Sequence, residues 1–282
     1  MKIDVLSNKL AFIQGLRGGM CDNHTWDESR DRLNELINSE YVYFLMKYSL
    51  KIESKVNLFR GRIINDKEIN NIENLIYKPS EKVLEYGRCN IPKQSIYYAS
   101  NNFDTVLSEL SVEINDIVYV LNSEIKNDKK IDFIPVGELD HLRRYGKSLL
   151  SDNLEVVSKV KDIMTSIKKK DINNYYVQHL LDAYLSELFF KKAYTKKDYK
   201  LTSAFSDIIY KLDSSLDGIS YPSVKHRGGI NFAIKSETFD EKIKVLAVVK
   251  IKIINDLGFG IYTYEVLDKS KSIGLNGDIN WS

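Results

Sequence analysis

The chain has 282 residues, 43% of them hydrophobic, enough for one large or two small domains with a proper core. Lysine and arginine total 41 against 39 aspartates and glutamates, so the overall field gives no reason to expect nucleic acid or an anionic membrane as a direct partner. The longest apolar runs, such as VLAVV at 245–249, are too short to cross a bilayer, and the N-terminus carries no basic-then-apolar leader, so a cytoplasmic protein is expected. Two cysteines, Cys21 and Cys89, and four scattered histidines offer no metal-ligand spacing, and no metal is expected.

Residues 25–50 read as an amphipathic helix. Thr25 and Glu28 form a capping box, and Leu33, Leu36, Ile37, Tyr41, Phe44, Leu45 and Tyr48 recur at helical spacing. An N-terminal helical segment over 1–54 follows, with a sheet domain over 55–282. LFRGRII (58–64) and SIYYAS (95–100) are strand-like. Asn101 or Asn102 can cap a helix carrying Glu109 beside Val106, Leu107 and Leu110, and IVYVLNSEI (117–125) and IDFIPVG (131–137) add strands. A helical insertion over about 140–200 contains helices at 151–170 and 174–191, expected to pack on the sheet. A further helix covers 199–212. DGISYPS (217–223) leads into a turn, GGINFAI (228–234) is a strand, and IKVLAVVKIKII with GIYTYEVL forms a terminal hairpin.

Three segments carry the candidate chemistry: LFRGR with Arg60 and Arg62, YGRCNIPKQSIYYASNNFDTVLSEL with Arg88, Tyr97, Tyr98 and Glu109, and DGISYPSVKHRGGINFAI with Ser223. A glutamate on a helix after a strand is more often a solvated residue than a catalytic one. Here four motifs stand in order over about residues 56–236: FR, GRCNI, YYA with SEL, and DGISYPS running into the INFAI strand. In that order the chain resembles the RES family, named for arginine, glutamate and serine. Its members are toxins of bacterial toxin–antitoxin pairs that destroy NAD. The chain departs from the family pattern at Cys89, where an aromatic is usual, at Ile91, where proline is common, and in the long insertion after Glu109.

The resemblance implies an α+β fold similar to ADP-ribosyltransferases, with a core of two small sheets, flanking helices and NAD bound as substrate. Glu109 would then stabilise the oxocarbenium-like ribose as the nicotinamide bond breaks. Arg60 and Arg88 would bind the pyrophosphate through bidentate hydrogen bonds, with Arg62 the rival to Arg60. Because Tyr97 and Tyr98 alternate in facing, one of them enters the cleft, and the match to the family favours Tyr97. Ser203 and Ser223 each lie near the family serine, and both stay candidates for the ligand. Water or phosphate would be the acceptor, with transfer of ADP-ribose to a macromolecule, or binding without chemistry, as the alternatives. A protein antitoxin or activator is the implied partner, and the sequence leaves a homo-oligomer open. His141 and His226 are expected to be exposed and without catalytic duty.

Overall fold

The computed structural model describes residues 3–38, 48–51, 56–150, 154–193 and 195–282. In chain order the elements are α1 (Ile3–Arg17), α2 (Trp26–Asn38), β1 (Tyr48–Lys51), β2 (Leu58–Ile63), β3 (Ile96–Ser100), α3 (Phe103–Leu110), β4 (Ile117–Ile125) and β5 (Lys130–Pro135). There follow α4 (Glu138–Tyr145), α5 (Leu154–Lys170), α6 (Ile172–Phe190), α7 (Lys200–Leu212), β6 (Gly218–Pro222), β7 (Ile230–Lys235), α8 (Ser236–Lys242), β8 (Ile243–Asp256), β9 (Tyr262–Ile273) and β10 (Ile279–Trp281). The fold mixes α and β. No helix among the described residues is long and apolar enough to cross a membrane.

The chain divides into two compact units. One, helical, gathers Met1–Lys47, Glu85–Ile91 and Ile134–Ser214; the other, built on the sheet, gathers Tyr48–Leu84, Pro92–Phe133 and Ser215–Ser282. The N-terminal helices and the helical insertion therefore belong to a single unit, where the sequence suggested a separate N-terminal segment. The helices expected to pack on the sheet find helical partners, α6 lying against α1, α4 and α5.

In the helical unit the capping box forms as read. The Thr25 amide donates to Glu28 Oε2 at 2.7 Å and the Glu28 amide donates to Thr25 Oγ1 at 3.3 Å. The helix it starts is shorter than its pattern. It ends at Asn38, residues 39–47 with Tyr41, Phe44 and Leu45 lie outside the described residues, and Tyr48 belongs to β1, paired antiparallel with Phe133 of β5. A 3.6-residue period over a short apolar run does not separate helix from strand, and backbone pairing decides.

The sheet runs β1-β5-β6-β7-β3-β2-β4-β8-β9-β10, and every pairing whose register is described is antiparallel. It is one sheet where two were expected, yet its two halves are joined by the single pair Phe59↔Ser100 between β2 and β3. By contrast β2 pairs with β4 over Leu58 to Ile63, and β3 with β7 over Ile96 to Ser100. DGISYP, read as the approach to a turn, is strand β6, paired with β7 from Gly218 to Pro222. The terminal hairpin forms as β8 and β9.

Helix α3 packs on the β2-β4-β8 half. Leu107 is fully buried with Val118, Val120, Ile251 and Ile253, and Leu110 and Phe59 pack against the same cluster. Burying a leucine of this kind contributes about 2 kcal/mol. Gly61 makes the close approach possible, because a Cβ there would lie 2.6 Å from Val106 Cγ1 and 2.8 Å from Leu110 Cδ1.

Candidate functional site

Glu109 is placed by local chemistry at both ends of its helix. Asn102 is the cap, its Oδ1 accepting the Thr105 amide at 2.8 Å, while Asn101 instead exchanges backbone and side-chain bonds with Ile230. After Leu110 the chain leaves the helix through Ser111 in the left-handed region, φ 53°. The Ser111 hydroxyl and the Glu109 carbonyl both accept from Lys225 Nζ, at 2.6 and 2.8 Å.

Two side chains converge on the Glu109 carboxylate. Ser223 Oγ donates to Oε1 at 2.6 Å and Asn231 Nδ2 donates to the same oxygen at 2.7 Å. The directions follow from the surroundings. Ser223 Oγ accepts the amides of His226 and Lys225 at 3.0 and 3.3 Å, which leaves its proton for the carboxylate. Ser100 Oγ lies 2.6 Å from Asn231 Oδ1 and donates to it, which turns the amide nitrogen toward Glu109.

The carboxylate lines a cleft of about 180 Å³ together with Arg60, Tyr98, Tyr221, Phe59 and Asn231. The cleft opens at the narrow join between β2 and β3. Arg60 crosses that gap, Nη1 donating to the Tyr98 carbonyl at 2.8 Å and Nε to the Leu75 carbonyl at 2.9 Å. Burial, and then the neighbouring Arg62, lower its pKa to about 10. Arg62 is also lowered by burial and donates to the Ile76 carbonyl at 3.1 Å. Among the described residues neither arginine forms an ion pair. Arg60 lines the cleft together with Glu109, and its guanidinium lies 5.8 Å from the Tyr97 ring.

Of the residues the sequence singled out, Ser223 meets Glu109 directly and Arg60 lines the same cleft as Glu109. Tyr97 is not in the cleft. It is fully buried on the opposite facing, its hydroxyl 3.0 Å from Ser123 Oγ and its ring 4.4 Å from that of Phe239, and of the two neighbours it is Tyr98 that lines the cavity. Arg88 and Ser203 belong to the helical unit, each with work there. Arg88 Nη1 donates to the Phe189 carbonyl at 2.6 Å, at the C-terminus of α6 where a cation suits the helix dipole, and its guanidinium lies 5.4 Å from the Tyr199 ring. Ser203 is fully buried, accepting from Trp26 Nε1 and donating to the Lys200 carbonyl, both at 3.1 Å.

Asn231, Ser100 and Tyr221 were not singled out in the sequence. Asn231 is the second residue of the INFAI strand, and a polar residue within an otherwise apolar strand was the available signal. His226 and His141, expected to be exposed, are half-buried. His226 Nδ1 sits 2.7 Å from Thr105 Oγ1, and because that hydroxyl donates to Asn102, the imidazole is the donor. No group of three or more metal-ligating side chains occurs among the described residues.

Comparison with known protein families gives no matching family model, and comparison with curated proteins gives no match. Chemically, the guanidinium can bind an anionic group, the aromatic walls can receive a flat ring, and the carboxylate can accept hydroxyl protons or stabilise a developing positive charge.

Proposed function

We propose that the chain is an NAD-degrading enzyme of the RES type, built on an ADP-ribosyltransferase-like core, that cleaves the bond between nicotinamide and ribose with water or phosphate as acceptor. The observation that carries this reading is the Glu109 carboxylate, held by two donors on one oxygen in a cleft that Arg60, which has no ion-pair partner among the described residues, also lines. Breaking an N-glycosidic bond moves positive charge onto the ribose, and a fixed carboxylate stabilises that charge more than the ground state. Arg60 suits a phosphate oxygen of the same substrate.

The cleft, at about 180 Å³, is smaller than the roughly 300–1,000 Å³ that a drug-sized ligand fills. It accommodates the nicotinamide and ribose end of a dinucleotide, with the adenylate end outside. Depletion of NAD would make the protein a toxin or defence effector held in check by an antitoxin or activating partner.

The test is NAD consumption by the purified chain, with and without phosphate, beside Glu109→Gln. Release of free nicotinamide by the parent and a loss of at least about 100-fold in the variant support the reading. Undiminished turnover in Glu109→Gln overturns it. Label passing from NAD to a protein would instead identify a transferase.

A further inference from the structure

We propose that Asn231, oriented by Ser100, is a positioning residue that assigns the two oxygens of Glu109, Oε1 to the protein and Oε2 to the substrate. This rests on the NAD-cleaving reading of the cleft. The two donors to Oε1 differ in what supports them. Ser223 sits just past the end of β6, in a loop closed by its amide donating to the Gly229 carbonyl at 2.8 Å. Asn231 stands inside β7, paired across to Ser100 on β3 and to Tyr221 on β6, and is 7% exposed. A donor set in a central strand is held more rigidly than one in a loop.

The amide is also the side chain that the position requires. Its Oδ1 takes the Ser100 proton and its Nδ2 gives one to Glu109, so the pair of bonds runs in one direction from strand β3 to the carboxylate. An aspartate at 231 would have the same shape and could accept from Ser100, yet would set a carboxylate against a carboxylate. With Oε1 engaged twice from the protein side, the remaining oxygen is fixed in direction, as stabilisation of charge on the ribose demands.

Three variants and two readouts decide the matter. Asn231→Ala is expected to lower kcat for NAD cleavage roughly 10- to 100-fold, with KM within about threefold, the loss appropriate to one hydrogen bond to a charged group. Asn231→Asp, although isosteric, should lose at least as much, which a purely structural role would not produce. Ser100→Ala, a smaller change less prone to unfold the chain, should lower kcat about three- to tenfold. Crystal structures of the variants give a readout that needs no substrate: Glu109 should leave its position in Asn231→Ala. An unmoved carboxylate, restored activity in Asn231→Asp, or a rise in KM alone overturns the inference. An inert parent enzyme whose Glu109 nevertheless moves in Asn231→Ala would overturn the NAD reading and the substrate's share of Oε2, while leaving the positioning of the carboxylate standing.

Discussion

The Arg60 guanidinium donates to the main-chain carbonyl of Tyr98 at 2.8 Å, so a side chain of β2 supplies a bond across the gap where the backbones of β2 and β3 part after Phe59↔Ser100. One residue thus satisfies two carbonyls across the gap and also lines the cleft. Arg60→Ala should cost about 2–4 kcal/mol in urea unfolding, because the Tyr98 and Leu75 carbonyls lose a charged donor. Arg60→Lys keeps the charge but cannot fork to both carbonyls and a ligand. It should retain more stability than the alanine variant and raise the NAD KM about tenfold. An unchanged KM in Arg60→Lys would remove the arginine from substrate binding.

Tyr97 and Tyr98 divide structure from site. Tyr97→Phe removes a hydroxyl bonded to Ser123 in the core and should cost about 1 kcal/mol while leaving NAD turnover unchanged. Tyr98→Ala removes a wall of the cleft and should reduce kcat/KM about tenfold or more, with little change in unfolding. The reverse pattern would show that the facing of β3 has been misassigned.

The order of elements was legible because it rests on local signals. The Thr25 and Glu28 box, the asparagines before Phe103 and the apolar runs of β2 to β5 and of β7 all act over a few residues. Motif order marked both Glu109 and Ser223, which meet in the fold, and Arg60, which lines the same cleft as Glu109. What escaped depends on long-range pairing. Asn231 meets Glu109 only once β7 lies beside β3, and Tyr98 rather than Tyr97 faces the cleft because of a register that alternation alone leaves two ways round. Arg88 and Ser203 sat in motif-like segments, but their partners are the end of α6 and Trp26, which no spacing announces.

Alkaline pH should unfold the protein through its buried acids. The Cys89 thiol is raised by burial from 9.0 to about 12, against smaller opposing effects of Ser206 and Arg88, and the Tyr97 hydroxyl is raised by burial from 10.0 to about 12. The unfolded chain releases these protons first. The stability they contribute is complete below pH 9 and is lost as pH climbs toward 12. Arg60 runs the other way, because the native state gives up its proton near 10 and the unfolded chain only at higher pH, and it offsets part of the loss. The Tm should be flat to about pH 9 and fall above it, less steeply in Cys89→Ala. At pH 8, iodoacetamide should label Cys89 only after unfolding. Labelling of the native protein would contradict the burial.

Gly61 tests whether the spacing of helix and strand governs the site. In Gly61→Ala the new methyl meets Val106 Cγ1 at 2.6 Å and Leu110 Cδ1 at 2.8 Å, both on α3, so the helix must lift or those side chains must change rotamer. Lifting the helix draws Glu109 away from Ser223 and Asn231, whose hydrogen bonds at 2.6 and 2.7 Å leave no slack. The variant should lose about 1–3 kcal/mol of stability and several-fold in kcat. Adding Val106→Ala removes the nearer clash, so the double variant should recover part of both losses, with a coupling energy of about 0.5 kcal/mol or more in the cycle. Strict additivity in that cycle would mean that α3 absorbs the methyl without moving, and that the close approach at Gly61 does not set the position of the carboxylate.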